Sequence, residues 1–211
     1  MNCQCEGIEQ FFDPEEAERD LRSYHKSGPH HTTQMLLDAI RAEGVDGKTV
    51  LDIGGGIGAI QHELLKAGAA SAVSVDGSSA YLQTAKAEAE RQGFADRVTY
   101  HHGNFVELTG SLENADVVTL DRVICCYDDM ESLVSLSAQR AGRLYGVVYP
   151  RRSLGARLVV GVENIWMKIK GNPFRVFVHD PSAIRSVIEG SGLTRRFAAT
   201  TLVWRVELYA R

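Results

Sequence analysis

The sequence has no excess of positive charge, no long apolar run and few cysteines, and each absence excludes a class of protein. Its 211 residues contain 23 lysines and arginines against 27 aspartates and glutamates, a net charge of −4. A basic surface for nucleic acid is therefore not expected. No apolar run is long enough to span a bilayer, so no transmembrane segment is expected. The opening residues, MNCQCEGIEQ, lack the features of a signal peptide, which predicts a cytoplasmic protein.

The four cysteines are Cys3, Cys5, Cys125 and Cys126. In a cytoplasmic protein they are expected to be reduced thiols rather than a disulfide framework. Four thiolates could in principle bind zinc. However, one pair is separated by a single residue and the other pair is adjacent, and neither spacing is usual for zinc ligands. We therefore predict no metal site.

Strands and helices alternate along the chain from Lys48 to Tyr149. Five short apolar runs typical of buried strands are separated by amphipathic stretches typical of helices. The predicted strands are KTVLDI, SAVSVD, RVTYHH, ADVVTLD and GRLYGVVY. This alternation predicts βαβ units and a parallel sheet. The last segment, LTRRFAATTLVWRVELYAR, contains two strands with no helix between them, which predicts an antiparallel pair at the end of the sheet.

We interpret the chain as a single domain. Its parts are an N-terminal helical cap (1–47), a cofactor-binding core (48–150), an insertion that covers the substrate (151–179), and a closing helix and hairpin (180–211). Within the cap, EEAERD and TTQMLLDAIRAEG predict two helices. Gly28 and Pro29 separate them, and a threonine is expected to cap the second.

The segment LDIGGGIGAI places four glycines directly after the first predicted strand. Gly54, Gly56 and Gly58 are spaced by two, so the strand enters a turn with a bare backbone before a helix, a place suited to close ligand approach. The dinucleotide fingerprint G-x-G-x-x-G/A can be placed on Gly54, Gly56 and Ala59. That fingerprint does not require the carboxylate of Asp52, which would repel a pyrophosphate and attract a cationic ligand.

Polar residues follow the second and third predicted strands at the same edge of the sheet. Asp76 lies at the tip of the second strand, where a carboxylate can accept both hydroxyls of a ribose. Asn104 can hydrogen-bond the edge of a purine, and Phe105 offers an apolar face. For Asp52 and Asp76, the alternative interpretation is helix N-capping.

Taken in order, the segments LDIGGGIG, SVD, HHGNF and VVTLDRV resemble the class I S-adenosylmethionine-dependent methyltransferases. The resemblance covers about residues 48–150, and the closing helix and hairpin also fit this family. It implies an α/β, Rossmann-like fold with a seven-stranded, mostly parallel sheet, helices on both faces and an antiparallel last strand. It also implies S-adenosyl-L-methionine as methyl donor and S-adenosyl-L-homocysteine as product.

The resemblance further implies which residues contact the cofactor. The glycine loop would lie against the methionine part, Asp76 would hold the ribose, and Asn104 and Phe105 would meet the adenine. Many members of the family carry Asp where Asn104 stands, but the amide oxygen can still accept a hydrogen bond from the adenine amine. The implied cofactor-binding residues are Asp52, Gly54, Gly55, Gly56, Gly58, Asp76, Gly77, Asn104, Phe105, Asp121 and Arg122. Asp52 would lie close to the positive end of the cofactor or order the loop through backbone N–H groups.

Within the family, the segments DLRSYHKSGPHHTTQMLLDAI and TLDRVICCYDDMESLV are most similar to magnesium-protoporphyrin O-methyltransferases and their bacterial relatives. This similarity implies methyl transfer to oxygen on a small aromatic or lipophilic acceptor, with no nucleic acid as partner. One alternative is a catalytically silent protein that binds S-adenosylmethionine or S-adenosylhomocysteine. Another is a nicotinamide-dependent oxidoreductase, which Asp52 and the closing hairpin disfavour.

No catalytic base is assigned, because a carboxylate or phenol acceptor needs little or no base. Tyr127, His25 and His179 are the candidates, and Tyr127 is expected near the sheet edge where ligands bind. His179 could instead cap the following helix. A loop rich in aromatic and imidazole side chains is expected to form a lid or a solvated linker, and it contains Tyr24, His25, His30 and His31.

The insertion contains apolar residues at helical spacing. These are Leu158, Val162, Ile165, Trp166 and Ile169. One interpretation is a helix that packs into the core. The other is a cover whose apolar underside lies beside Tyr127 over the carboxyl edge of the sheet and selects the acceptor.

Overall fold

The computed structural model describes residues 3–211, apart from the side chains of residues 3–5, 154, 156, 157, 159 and 163. The strands are β1 (Thr49–Ile53), β2 (Ser71–Asp76), β3 (Val98–His102), β4 (Ala115–Asp121), β5 (Ala141–Pro150), β6 (Thr194–Thr200) and β7 (Trp204–Ala210). The helices are α1 (Cys3–Phe11), α2 (Pro14–Ser27), α3 (His31–Ala42), α4 (Ala59–Lys66), α5 (Ser79–Gln92), α6 (Phe105–Leu108), α7 (Met130–Arg140), α8 (Leu154–Ile169) and α9 (Pro181–Gly190).

The strands form one seven-stranded sheet in the order β3-β2-β1-β4-β5-β7-β6. The first five strands pair in parallel, whereas β7 lies antiparallel between β5 and β6. This arrangement confirms the predicted fold, including the antiparallel pair that closes the sheet.

Helices cover both faces of the sheet, because neighbouring residues along a strand point to opposite faces. In β1, Val50 packs in a cluster with Leu37 of α3 and Leu64 of α4. The next residue, Leu51, packs in a second cluster with Val134 of α7 and with residues of α9. The central strands are therefore apolar on both sides, as expected for a parallel sheet between two helical layers.

The register of the sheet brings the carboxyl ends of three strands together. β1 lies between β2 and β4, with Ile53 opposite Val75 and Asp52 opposite Thr119. Asp76 and Asp121 are the last residues of β2 and β4. Three aspartates from three strands consequently lie at one edge of the sheet.

Two predicted helix caps are wrong. His30, not a threonine, precedes α3, and its Nδ1 accepts a hydrogen bond from the Thr32 amide at 3.4 Å. His179 does not cap α9, because the Asp180 carboxylate accepts from the Ser182 amide at 2.9 Å. In both places the residue next to the helix has a side-chain acceptor within reach of the first-turn amides.

The insertion consists of α8 followed by an extended strap, residues 172–179. Asn164 of α8 joins the two, since its side chain donates to the Val176 carbonyl and accepts from the Val176 amide, both at 2.8 Å. Phe174 in the strap is buried and stacks on Phe11 of α1 at 5.3 Å between ring centroids. Within the described part of the chain, no helix is both long and apolar enough to cross a membrane.

Candidate active site

The glycine loop is a turn between β1 and α4 whose backbone strongly favours glycine. Gly54, Gly56 and Gly58 have φ values of 64°, 56° and 82°, the left-handed region that other residues avoid. A Cβ on Gly54 would lie 2.3 Å from a methyl carbon of Val123. A Cβ on Gly55 would lie 2.8 Å from the Ser74 hydroxyl. The spacing by two therefore reflects three left-handed residues, which leave a bare backbone at the start of α4.

Asp52 is buried directly beneath this loop. Its Oδ1 accepts a hydrogen bond from the Thr119 hydroxyl at 2.7 Å, whereas its Oδ2 has no hydrogen-bond partner. Burial raises the pKa of Asp52 to about 7; the Thr119 hydrogen bond opposes this rise, and the charges of Asp121 and Asp76 add to it. The expectation that Asp52 orders the loop through backbone N–H groups is wrong, because its bond goes to Thr119. Its expected closeness to the positive end of a cofactor stays a prediction.

Asp76, rather than Asp52, holds the glycine loop in place. Its Oδ2 accepts from the Gly56 amide at 2.9 Å, and its Oδ1 accepts from the Ser78 amide at 2.8 Å. Burial raises the pKa of Asp76, and these two bonds work against that rise. Each carboxylate oxygen retains capacity to accept a further hydrogen bond, as a ribose diol would require.

The N-capping interpretation of both aspartates is wrong. Gly58 occupies the N-cap of α4 and makes no side-chain bond there. The N-cap of α5 is Ser78, whose hydroxyl accepts from the Tyr81 amide at 3.2 Å. Asp52 and Asp76 are therefore not explained as ordinary helix caps.

At the end of β4 the backbone takes an unusual conformation. Arg122 has a φ of 62°, the one left-handed value at a non-glycine residue among residues 3–211. Such a residue costs roughly 1–2 kcal/mol, and such strain is concentrated at functional sites. The turn places Val123 against Gly54, and Arg122 Nε donates to Asp121 Oδ1 at 3.3 Å. The Thr33 hydroxyl donates to the other oxygen of Asp121.

Asn104 and Phe105, the two residues expected to contact the adenine, both contact other parts of the protein. Asn104 Oδ1 accepts from the Val106 amide at 3.0 Å and so caps α6. Its Nδ2 donates to the Tyr127 hydroxyl at 3.0 Å, a contact that the sequence did not indicate. The ring of Phe105 is buried in the core, and its contact with the adenine stays a prediction.

The strap crosses the end of β4 and covers this edge of the sheet. The Phe177 amide donates to the Cys125 carbonyl at 2.7 Å. His179 Nε2 lies 2.8 Å from the Tyr127 carbonyl oxygen, which accepts the bond. Tyr127 and His179 are therefore both at the carboxyl edge of the sheet, although catalytic roles for them stay predictions.

The predicted lid residues lie in two places. Tyr24 and His25 belong to α2, not to a loop, so that part of the prediction is wrong. His25 contacts Glu88 at 2.9 Å, about 13 Å along α5 from its start, which places it away from the glycine loop. His30 lies closer to the site, because it caps α3, and Thr33 of that helix donates to Asp121. Burial, and then the charge of Arg122, lowers the pKa of His30.

The N-terminal helix α1 covers the loop after β2, a feature that the sequence did not indicate. Glu9 accepts hydrogen bonds from the amide and hydroxyl of Ser79, and it lies 3.2 Å from His102. Ile8 packs over Gly77, where a Cβ would lie 3.1 Å from its Cγ2. Gly77 thus lies under α1, at the edge of the sheet where the cofactor is predicted to bind.

Of the four cysteines, the structure describes the side chains of Cys125 and Cys126. The sulfurs of Cys125 and Cys126 are 3.9 Å apart behind Arg122, while the side chains of Cys3 and Cys5 lie outside the described residues. Among the residues that the structure describes, no group of three or more histidine, cysteine, aspartate or glutamate side chains could hold a metal ion.

Comparison with known proteins identifies similarities in both sequence and fold. Residues 45–148 match the family model of a methyltransferase domain. Ribosomal protein L11 methyltransferase of Erwinia tasmaniensis is 31% identical over 120 residues, which cover 56% of this chain and 39% of that protein. The protein of the same name from Enterobacter sp. is 30% identical over 118 residues, with the same coverage. The chain thus spans about two fifths of the length of these curated relatives.

Solved structures match over more of the chain. Magnesium protoporphyrin IX methyltransferase from Synechocystis PCC 6803, with bound SAH, superposes with a TM-score of 0.77 at 18% identity and covers 99% of both chains. A putative methyltransferase in complex with the Trm112 activator from Haloferax volcanii superposes with a TM-score of 0.72 at 16% identity and covers 96% of both chains. At these identities the likeness establishes the fold.

Proposed function

We propose that this chain, which carries a class I S-adenosylmethionine-dependent methyltransferase domain, transfers a methyl group from S-adenosylmethionine to an oxygen of a small aromatic or lipophilic acceptor. The observation that carries this proposal is the convergence of three carboxylates, Asp52, Asp76 and Asp121, on the glycine loop Gly54–Gly58. Carboxylates attract a ligand with a positive sulfonium and ammonium group and would repel a pyrophosphate. The same observation counts against a nicotinamide-dependent oxidoreductase.

The residues at the sheet edge fit each part of S-adenosylmethionine. The loop Gly54–Gly58 offers mostly bare backbone to the methionine part, and it packs so closely on Val123 and Ser74 that a Cβ at Gly54 or Gly55 would collide with them. Asp76 can accept the ribose hydroxyls while it holds the loop. Asp52 presents an oxygen without a partner beneath the same loop. A buried carboxylate oxygen without a partner is costly, which supports a ligand above it.

When bound, S-adenosylmethionine supplies a methyl group that is already activated by the sulfonium charge. The protein then has to hold the acceptor oxygen in line with the methyl carbon, and such alignment can supply about 7–11 kcal/mol. The strap and Tyr127 lie at the edge where this oxygen would have to enter. A phenol or carboxylate acceptor needs little help from a base, so the engaged Nε2 of His179 suits positioning better than proton abstraction.

A small acceptor is supported by how much of the chain each similar protein matches. The match to magnesium protoporphyrin IX methyltransferase extends over the cap, the strap and the hairpin. The match to ribosomal protein L11 methyltransferase covers 56% of this chain. The parts of the chain that would contact an acceptor therefore resemble magnesium protoporphyrin IX methyltransferase in fold.

The proposal is tested by supplying the protein with S-adenosylmethionine labelled in the methyl group, together with a panel of phenols, aromatic carboxylates and porphyrin carboxylates. Mass spectrometry of the products identifies any methyl ester or methyl ether. Asp76→Ala serves as the inactive control, and Asp116→Ala, at the amino end of β4, serves as the matched aspartate variant. Binding of S-adenosylhomocysteine without transfer to any acceptor would instead support the silent binding protein.

A further inference from the structure

Helix α8 presents an apolar surface to solvent. We call this surface the apolar stripe, and its residues are Leu158, Val162, Ile165, Trp166 and Ile169. They are 48–79% exposed and repeat at intervals of three and four residues, so they share one face of the helix. Met167, on another face of α8, is buried. The interpretation of these five residues as part of a core-packing face is therefore wrong, whereas the cover expected beside Tyr127 stays a prediction.

The charge around the stripe is strongly one-sided. Residues 151–179 contain six lysines and arginines and one acidic residue, a formal charge of +5. The whole chain carries −4, so the remaining residues carry −9. Arg151 and Arg152 precede α8, and Lys168 and Lys170 lie at its end. All four are exposed; Arg152 pairs with Asp180 at 2.7 Å, and Lys170 lies over the ring of Trp166.

We propose that the apolar stripe binds the surface of an anionic membrane, with α8 lying in the plane of the interface. Helices of this kind combine aliphatic and tryptophan side chains on one face with lysine and arginine beside them. Each basic residue near an anionic leaflet strengthens binding roughly fivefold. The stripe supplies the apolar contact, and the basic segment supplies the charge complementarity.

A second copy of the chain is a poorer occupant of this surface. Two stripes in contact would bring two segments of charge +5 against each other, and like charges across an interface oppose association. An anionic lipid surface neutralises the same charges.

Because α8 is tied to the strap, membrane binding would also position the candidate active site relative to the lipid surface. Asn164 ties α8 to the strap, and the strap contacts Cys125 and Tyr127 at the carboxyl edge of the sheet. A membrane-bound α8 would therefore hold this edge close to the lipid surface, where a lipophilic acceptor would be concentrated. Membrane binding itself requires neither cofactor nor acceptor, so it can be tested independently of the proposed activity.

The test is co-sedimentation of the full chain with vesicles of phosphatidylcholine and with vesicles in which about one third of the lipid is phosphatidylglycerol. Wild type should bind the anionic vesicles and dissociate as salt is raised. The double variant Ile165→Asp/Ile169→Asp should lose at least about tenfold in partition, because two exposed apolar anchors become charged. Lys168→Glu/Lys170→Glu should lose a similar factor on anionic vesicles.

Matched controls lie on α5, where Ala87 and Lys86 are exposed. Ala87→Asp and Lys86→Glu make the same kinds of change away from the stripe and should bind like wild type. The proposal fails if wild type does not bind anionic vesicles at low salt, or if the stripe variants bind as well as the controls. It also fails if sedimentation equilibrium shows a dimer that Ile165→Asp dissociates, since a second copy would then occupy the stripe.

Discussion

Replacing Asp52 with asparagine should make the protein more stable at neutral pH while impairing the site. The pKa of this carboxyl rises from 3.8 to about 7 on folding, chiefly because it is buried. The folded state therefore binds a proton that the unfolded state releases between these values. This difference corresponds to about 4 kcal/mol of stability, which is fully present below pH 3.8 and is lost as the pH rises to about 7.

The amide of Asp52→Asn cannot ionise, so the variant should not suffer this loss. Its Oδ1 can still accept the hydrogen bond from the Thr119 hydroxyl. Urea unfolding at about pH 5 and about pH 8 measures the effect. Wild type should lose stability between the two values, and the variant should gain up to about 4 kcal/mol over wild type at the higher one. Asp116→Asn, at a half-buried carboxylate at the other end of the sheet, is the control.

The same variant separates stability from function. If Asp52 lies close to the positive end of the cofactor, its ionisation should favour S-adenosylmethionine over S-adenosylhomocysteine, which lacks the sulfonium charge. The ratio of the two affinities should then rise through about pH 7 in wild type and stay flat in Asp52→Asn. Equal pH dependence of unfolding in wild type and variant would refute the burial argument. A flat affinity ratio in wild type would refute the placement of Asp52.

Three further predictions concern the loop and the strap. Gly54→Ala should destabilise the protein by about 2 kcal/mol or more in thermal unfolding, because its Cβ meets Val123 and the backbone there is left-handed. Gly110→Ala, which has open space around the new Cβ, should leave the stability unchanged. Asp76→Ala should weaken S-adenosylhomocysteine binding by roughly tenfold or more in a filter-binding titration, since a charged hydrogen-bond partner is lost; unchanged binding would mean that the ribose lies elsewhere. His179→Ala should raise KM for the acceptor while leaving cofactor affinity unchanged, because it releases the strap from the Tyr127 carbonyl; a parallel loss of cofactor affinity would contradict this role.

The sheet and the glycine loop could be predicted because their signals are local. Strand-forming runs such as VLDI in β1 alternate with amphipathic helices. The glycines at positions 54 and 56 indicate left-handed backbone, because glycine adopts it without a steric penalty. The carboxylates Asp52 and Asp76 follow from their places at strand ends.

The features that the sequence did not reveal depend on distant partners. Glu9 is paired with Ser79 across 70 positions, and Asn104 with Tyr127 across 23. Periodicity locates the apolar stripe on α8, but the same pattern describes a buried face and an exposed one. Only the tertiary structure shows that Ile169 is 79% exposed.

The most direct test of the central claim is calorimetric titration of S-adenosylhomocysteine, and separately of NAD, into wild type, Asp76→Ala and Asp116→Ala. Three carboxylates around a bare glycine loop should bind S-adenosylhomocysteine and not NAD. Binding should be weakened roughly tenfold or more by Asp76→Ala and unchanged by Asp116→Ala. Binding of NAD without binding of S-adenosylhomocysteine, or equal affinity in all three proteins, would contradict the account.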